Sequence, residues 1–283
     1  MSNITVTNLH KSYGDVDALE DVSFEILDGE FVVILGESGA GKSTLLRCLN
    51  GLTEPTTGSV KIDGEPVNGP RDDVGMIFQQ HNIIEEMTAY TNALSGSLNR
   101  TSLVRSLFQW NDREEKLDAL RALDTVGLLD DAEQRAGRMS GGQQQRVGIS
   151  RALVQDPNLL LADEPVASLD PASAESVMGY IKDAADQHDL TTLASLHQVN
   201  LAREFGQRFI GMKDGRVIFD GYRDDLTFDV IDDIYGNIQT DAIRTGDDED
   251  DANADVAPTT SSDGGTDAAG GPDKQPASDP HLS

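Results

Sequence analysis

The fold of this 283-residue chain is decided by the stretch Gly36-Glu37-Ser38-Gly39-Ala40-Gly41-Lys42-Ser43-Thr44. It fits the pattern Gly-x-x-x-x-Gly-Lys-Ser/Thr of a phosphate-binding loop. Glycine lets the backbone turn tightly beside a ligand, and amide N–H groups at a helix start attract phosphate oxygens. Lys42 would reach the outer phosphates, and the Ser43 hydroxyl would be a ligand for Mg²⁺. The stretch therefore predicts a site for a nucleoside phosphate.

The segments around this loop predict an α/β fold. Phe31–Leu35 is a short, β-branched apolar run that indicates a buried strand, and residues 44–50 indicate the helix that follows the loop. Further along, residues 159–162 and Thr191–Leu196 indicate buried strands, with a helix over residues 172–187 between them. Strands that alternate with helices predict a mostly parallel sheet flanked by helices.

Two parts of the chain depart from that alternation. Residues 1–84 indicate mostly strands with one helix, including an N-terminal antiparallel β part. Residues 86–155 indicate an inserted, mainly helical subdomain. Within it, residues 112–123 have helical spacing, and we expect their apolar stripe to be made of Leu117, Leu120 and Leu123.

Composition divides the chain into one domain and one tail. Residues 1–242 contain the apolar segments, whereas residues 243–283 are rich in Asp, Gly, Pro, Ser and Thr and predict an acidic disordered tail. Residues 241–283 hold 11 acidic and 2 basic residues and so carry −9 of the net charge of −28, which leaves −19 on residues 1–240. This excess of negative charge argues against a nucleic-acid partner, because a nucleic acid is itself negatively charged.

The acidic surface of the folded part leads to a testable expectation. We interpret it as suited to a salt-rich cytosol, the alternative being an ordinary acidic protein with a tail that exaggerates the charge. Salt screens repulsion between like charges, so we expect the melting temperature of the full chain to rise from low to molar KCl. A thermal melting series in KCl measures this, and a melting temperature that does not rise would contradict the first interpretation.

The remaining bulk features favour a cytosolic protein. The single cysteine, Cys48, excludes an internal disulfide, and we expect it to be a small buried hydrophobe. No run of 18 apolar residues indicates a membrane span, and the N-terminal residues lack the features of a signal peptide.

Further motifs follow the phosphate-binding loop. Ser140-Gly141-Gly142-Gln143 opens an amphipathic segment, so its backbone offers a second anion-binding surface. Asp163 and Glu164 follow an apolar strand, and carboxylates at such a strand end can serve Mg²⁺ and an attacking water. His197 follows another apolar strand.

In their order, these motifs resemble the ATP-binding subunits of ABC transporters over roughly residues 2–240. The series is the phosphate-binding loop, Gln79 after a strand, Ser-Gly-Gly-Gln, Asp163-Glu164, Ser168-Leu169-Asp170 and His197. Met139 departs from the pattern, because leucine commonly precedes Ser-Gly-Gly-Gln. The two side chains have similar volumes, so we expect the packing to be kept.

The resemblance implies the ABC ATPase fold, with a RecA-like P-loop core, and an enzyme that hydrolyses ATP with Mg²⁺. It implies that Tyr13 stacks on adenine and that residues 36–44 cradle the phosphates. It implies Ser43, Gln79 and Asp163 as metal ligands. It implies a catalytic group in which Glu164 is the general base, assisted by His197, Gln79 and Lys42. It implies nucleotide contacts across a dimer from Ser140, Gly141, Gly142, Gln143 and Asp170.

The same resemblance implies partners and a location. A second copy would bind head to tail with ATP between the subunits, permease subunits would bind this dimer at the cytoplasmic face of the membrane, and a solute-binding protein would act indirectly. Segments such as Ser195-Leu196-His197-Gln198-Val199 are similar to phosphonate importer ATPases. Residues 98–108 resemble an insertion of that group, which either docks the permease or is a spacer. Trp110 is either a partner anchor or, as we favour, a core residue.

Other functions stay open at this point. The solute could be phosphite, phosphate or a polar amino acid, since the ATPase subunit does not contact it. A soluble ABC ATPase of repair or translation usually has two cassettes or long coiled coils, and this chain has one cassette and no sustained heptad pattern. A regulator that binds ATP without hydrolysis is disfavoured by the presence of both Glu164 and His197.

Overall fold

The computed structural model describes residues 2–79, 82–99 and 113–236. Its strands within these residues are β1 Ile4–Tyr13, β2 Val16–Ile26, β3 Phe31–Leu35, β4 Thr57–Ile62, β5 Glu65–Pro66, β6 Val74–Ile77, β7 Leu159–Asp163, β8 Thr191–Leu196, β9 Arg208–Lys213 and β10 Arg216–Tyr222. Its α-helices are α1 Lys42–Asn50, α2 Ala89–Leu94, α3 Arg113–Thr125, α4 Gly141–Val154, α5 Pro171–Gln187, α6 Val199–Phe205 and α7 Phe228–Tyr235.

The strands form two sheets. One has six strands in the order β10-β9-β3-β8-β7-β6, and every neighbouring pair in it is parallel except β10 with β9. The other has four strands in the order β2-β1-β4-β5, all antiparallel. The predicted α/β fold, with a mostly parallel sheet and an antiparallel N-terminal part, is confirmed.

The parallel sheet is buried on both faces, as its apolar strands require. Successive side chains of a strand point to opposite faces, and β3 divides accordingly. Val32 and Ile34 pack in a core with α1 and the antiparallel sheet. Phe31, Val33 and Leu35 pack in a second core with the helices on the other face. The six-stranded sheet therefore lies between two hydrophobic layers.

This topology assembles the functional residues predicted from sequence at one edge. The strands β3, β6, β7 and β8 run in the same direction, so their carboxyl ends meet at one side of the sheet. The segments that leave these ends carry Lys42, Gln79, Glu164 and His197. Ligands of open α/β sheets bind at this edge.

The helical part contains α2, α3 and α4, and the predicted stripe on α3 is wrong in part. Leu123 is fully buried, but Leu117 is 40% exposed, and the other buried side chains of α3 are Ala119 and Ala122. The reason is geometric: a step of three residues falls about 60° short of a full helical turn, so Leu117, Leu120 and Leu123 drift around the helix. Leu120 is only partly buried.

Several predictions from the sequence fall on residues that the structure does not describe. They concern Trp110, the acidic tail over 243–283, and all of the segment 98–108 beyond residue 99. Across the described ranges, no helix combines the length and the apolar character that a membrane crossing requires.

Gly51, which ends α1, gives a stability prediction. Its φ is +77°, and a Cβ there would lie 2.0 Å from the Gly69 carbonyl oxygen. Gly64 is the matched control, since its φ is +79° and no atom lies within 4 Å of a Cβ there. We expect Gly64→Ala to lower the free energy of unfolding by about 1 kcal/mol. Gly51→Ala should lower it by about 3 kcal/mol, because the backbone of Gly69 must also move.

Urea unfolding of both variants, at one fixed concentration of KCl, measures the two free energies of unfolding. Equal losses in Gly51→Ala and Gly64→Ala would show that the contact with Gly69 does not constrain the chain.

Candidate functional site

The phosphate-binding loop leads from the buried end of β3 into α1. The helix begins at Lys42, directly after Gly41, and Ser43 and Thr44 complete its first turn. The first N–H groups of a helix have no partner within the helix, and they carry partial positive charge. The loop can therefore surround an anionic group with backbone donors.

Lys42 is the charged centre of the site. Its side chain is only 3% exposed, and Nζ donates hydrogen bonds to the carbonyl oxygens of Gly36, at 2.7 Å, and Glu37, at 3.0 Å. Nζ also lies 3.3 Å from Oε1 of Glu164. The ammonium group is thus held between its own loop and the Glu164 carboxylate just after β7.

Asp163 connects three neighbouring strands and their loops. It is the last residue of β7 and is 4% exposed. The Ser43 hydroxyl donates to its Oδ1 at 2.7 Å, and the Ser195 hydroxyl lies 3.2 Å from the same atom. Two hydroxyl groups therefore stabilise this buried carboxylate.

Glu164 is held in place by its backbone as well as by Lys42. Its φ is +45°, a left-handed conformation that costs a residue with a side chain about 1 kcal/mol. Its N–H donates to the Ser195 hydroxyl at 2.9 Å, which fixes the turn just after β7. The turn directs the carboxylate to Lys42 rather than along the strand.

Three more residues predicted for the site, Tyr13, Gln79 and His197, make no hydrogen bond or ion pair with Lys42, Asp163 or Glu164 among the described residues. Gln79 is exposed and follows β6 by two residues, and His197 is exposed directly after β8. Tyr13 ends β1 with half of its side chain exposed, and Nζ of Lys11 lies 4.9 Å from the centre of its ring. Within the described ranges, neither Gln79 nor His197 has a hydrogen bond or ion pair, so both side chains are available to a ligand.

The Ser-Gly-Gly-Gln motif forms the N-terminus of α4. The Gln143 N–H donates to the Ser140 hydroxyl at 3.3 Å, and the Ser140 N–H donates to Oε1 of Gln143 at 3.0 Å. This reciprocal pair is a capping box. Ser140 and Gly141 are exposed, so the start of the helix faces solvent.

The structure brings Asp170 to the same surface. A Cβ on Gly141 would lie 3.4 Å from Leu169, and one on Gly142 would lie 3.5 Å from Ser173. Asp170 caps α5 by accepting from the Ser173 N–H at 3.1 Å, and the Ser173 side chain and N–H lower the pKa of Asp170. A surface cavity of about 240 Å³ separates the starts of α4 and α5. Among the described residues, no hydrogen bond joins this surface to the phosphate-binding loop.

Two residues of the site have no role predicted from the sequence. Ser195 lies in the buried strand β8, in register with Asp163, and its hydroxyl contacts Asp163 and the backbone N–H of Glu164. The one signal for it is a polar residue near the end of an apolar strand. Tyr235, at the end of α7, accepts a hydrogen bond from the Gly36 N–H at 3.3 Å, and no sequence signal indicates that contact.

Burial sets the ionisation of two other groups near the loop. It raises the pKa of Tyr235 to about 12, and the charges of Glu164 and Glu37 act in the same direction. It also raises the pKa of the Cys48 thiol to about 11. Cys48 is 1% exposed on α1, so it is the inert buried hydrophobe that the sequence predicts.

The oxygen atoms of the site fit a magnesium ion. Ser43 and Asp163 place a hydroxyl and a carboxylate oxygen 2.7 Å apart beside the phosphate-binding loop. Magnesium takes oxygen ligands, usually with one or two from the protein and the rest from phosphates and water. The part of the chain that the structure describes has no cluster of three or more His, Cys, Asp or Glu residues able to hold a metal. This arrangement suits an ion that arrives with a phosphate.

Comparisons with known proteins agree with this geometry. Residues 19–167 match the family model described as ABC transporter. The chain is 99% identical, over the full length of both proteins, to the phosphonates import ATP-binding protein PhnC of Halobacterium salinarum. It is 60% identical to phosphonates import ATP-binding protein PhnC 2 of Haloquadratum walsbyi, over 92% of each chain.

Solved structures show the same fold. The dimeric, post-hydrolysis structure of the ATP-binding cassette MJ0796 with ADP and phosphate is 35% identical, with a TM-score of 0.67 over 78% of this chain and 98% of that one. A nucleotide-free ATP-binding cassette from an ABC transporter is 26% identical, with a TM-score of 0.71 over 83% of this chain and 95% of that one.

Proposed function

Because this chain belongs to the ABC transporter family, we propose that it is the ATP-hydrolysing subunit of an importer that takes up phosphonates. One observation supports ATP hydrolysis: the Glu164 carboxylate lies 3.3 Å from Nζ of Lys42 at the phosphate-binding loop. The full-length identity to a protein named for phosphonate import supports the solute class.

In the proposed mechanism, nucleotide binding rearranges Lys42. The ATP phosphates lie against the N–H groups at the start of α1, and the adenine ring stacks on the exposed face of Tyr13. Lys42 turns from the carbonyl oxygens of Gly36 and Glu37 to the outer phosphates, where its charge is better balanced. This move separates Lys42 from Glu164 and leaves that carboxylate free to act as a base.

Hydrolysis follows at Glu164. The carboxylate accepts a proton from a water molecule, whose oxygen forms a bond to the γ-phosphorus. The bond from the γ-phosphorus to the bridging oxygen then breaks, so ADP and phosphate are the products. His197 and Gln79 project from the neighbouring strand ends, where they orient the γ-phosphate and the water. Ser195 keeps Glu164 in its left-handed turn throughout.

Ser43, Asp163 and Gln79 are the residues proposed to serve Mg²⁺. When bound there, the ion would neutralise part of the negative charge of the nucleotide phosphates. Asp163 is already fixed by the hydroxyls of Ser43 and Ser195, so its orientation does not depend on the ion.

The surface made by Ser140–Gln143 and Asp170 is proposed to complete the site of a second copy. The start of α4 is exposed and rich in backbone donors, yet no hydrogen bond joins it to its own phosphate-binding loop among the described residues. A head-to-tail dimer would place it on the nucleotide of the partner. The similarity to a cassette solved as a dimer with ADP and phosphate supports this arrangement.

The remaining partners follow from the proposed transport role. Permease subunits would bind the dimer at the cytoplasmic face of the membrane and change their access when it closes around ATP. A solute-binding protein would deliver the phosphonate on the opposite side. The proposed ATPase domain spans residues 1–242 and includes the helical subdomain at about 86–155. The acidic tail lies outside this domain.

Growth on a phosphonate as the sole phosphorus source tests the proposal. Cells that lack this gene are given either the wild-type gene or the Glu164→Gln gene. We expect growth only with the wild type, and equal growth of all strains on phosphate. Growth on the phosphonate without the gene, or with Glu164→Gln, would contradict the proposed role.

A further inference from the structure

Helix α7 contacts the phosphate-binding loop through Tyr235. The Tyr235 hydroxyl accepts the N–H of Gly36, the first residue of the loop, at 3.3 Å. The two residues are 199 positions apart, so this bond joins the last described helix to the nucleotide site. Tyr235 also packs against the hydrophobic core that contains Phe31, Val33 and Leu35.

Strand β9 fixes α7 beside the loop. Gly211 of β9 lies against Ile234, since a Cβ there would come within 2.5 Å of its Cδ1 atom. Lys213 donates to the Asp233 carbonyl oxygen at 2.6 Å, which places a cation at the C-terminus of α7. The helix therefore ends at a defined position on β9.

The same strand also fixes Gly36. Leu35 is in parallel register with Gly211, and a Cβ on Gly36 would lie 2.5 Å from the Met212 carbonyl oxygen. Gly36 thus packs directly on β9 while its N–H points to Tyr235. One strand holds both partners of the hydrogen bond.

The position of Gly36 matters for the nucleotide because its carbonyl oxygen holds Lys42. Lys42 Nζ donates to that oxygen at 2.7 Å. The two polar groups of the Gly36 region therefore have separate partners: Tyr235 for the N–H and Lys42 for the carbonyl. In the proposed mechanism Lys42 turns to phosphate, and the bond from the Gly36 N–H to Tyr235 would then still hold the start of the loop.

We infer that Tyr235 is a positioning residue for ATP, which acts through the Gly36 N–H to keep the phosphate-binding loop in its binding conformation. The inference rests on the proposed function, since it assigns α7 to the same nucleotide site. Among the described residues, the Tyr235 hydroxyl bonds the Gly36 N–H and makes no hydrogen bond to Glu164 or Lys42. Its loss should therefore affect the affinity for ATP more than the rate of hydrolysis.

The Tyr235→Phe variant of the full chain tests this inference, because it removes the hydroxyl and keeps the ring. We expect the dissociation constant for ATP and the KM to rise about threefold to tenfold, the range that the loss of one hydrogen bond produces. The kcat at saturating ATP should stay within about twofold of the wild type, since the groups at β7 are unchanged. Hydrogen exchange of the Gly36 amide should become faster in the nucleotide-free variant.

Tyr222→Phe is the matched control, because Tyr222 is 57% exposed on β10 and should leave all three quantities unchanged. An unchanged ATP affinity in Tyr235→Phe would overturn the inference. So would a fall in kcat equal to the rise in KM, accompanied by a lower melting temperature, since that pattern indicates general loosening. The wild type is titrated with ATP first. If it fails to bind or hydrolyse ATP, the proposed function is contradicted. If it binds ATP normally, the result for Tyr235→Phe tests the role of Tyr235 alone.

Discussion

Glu164→Gln is expected to lower the rate of ATP hydrolysis about 10²- to 10⁴-fold, the range that loss of a general base produces. The amide has nearly the shape of the carboxylate but cannot accept a proton from water at neutral pH. The change also removes the negative charge 3.3 Å from Lys42, so Lys42 is freer to reach phosphate. ATP affinity should therefore stay at least as strong as in the wild type, and an ATP-bound dimer should accumulate.

Steady-state hydrolysis in KCl with Mg²⁺, ATP titration and size-exclusion chromatography with ATP measure these three effects. Glu204→Gln is the control, since it makes the same charge change at an exposed position on α6. A turnover of Glu164→Gln close to that of the wild type would refute the assignment of the base.

Lys42→Ala is expected to weaken ATP binding about 10- to 100-fold, because it removes charged hydrogen bonds to the outer phosphates. Hydrolysis should fall by about 10²-fold or more, since the same charge stabilises the transition state. The loss of affinity separates this variant from Glu164→Gln, in which binding is kept. Equilibrium titration with ATP and single-turnover hydrolysis at saturating ATP measure the two effects separately.

Lys61→Ala is the matched control for Lys42→Ala. Lys61 is exposed on β4 and carries the same charge, so its loss makes the net charge of −28 equally more negative. A long-range electrostatic effect on ATP would weaken binding in both variants. Near-equal ATP affinities of the two variants would show that Lys42 does not contact the phosphates.

The elements around the loop could be predicted from local sequence because their patterns are unambiguous. The apolar, β-branched run Phe31–Leu35 has the length of a buried strand, and the structure has a strand with these bounds. The face of α3 was harder to predict, because alanine contributes little to an apolar pattern. An apolar pattern therefore misses the buried Ala119 and Ala122 and favours the larger Leu117, which lies exposed.

The site could be predicted only where residue type and spacing reflect chemistry. Lys42 and Glu164 stand in recognisable motifs, and the structure places them 3.3 Å apart. Ser195 and Tyr235 act on Glu164 and Gly36 through contacts that span 31 and 199 residues of sequence. Such contacts depend on which strands are neighbours, and no local pattern records that order.

The most direct test of the account is the ATPase activity of the full chain when it is reconstituted with its permease and solute-binding protein in molar KCl. The solutes compared are several phosphonates, phosphite, phosphate and amino acids. The account predicts that a phosphonate stimulates hydrolysis by the wild type and not by Glu164→Gln. Stimulation by another solute alone would contradict phosphonate import, and stimulated hydrolysis by Glu164→Gln would contradict the mechanism.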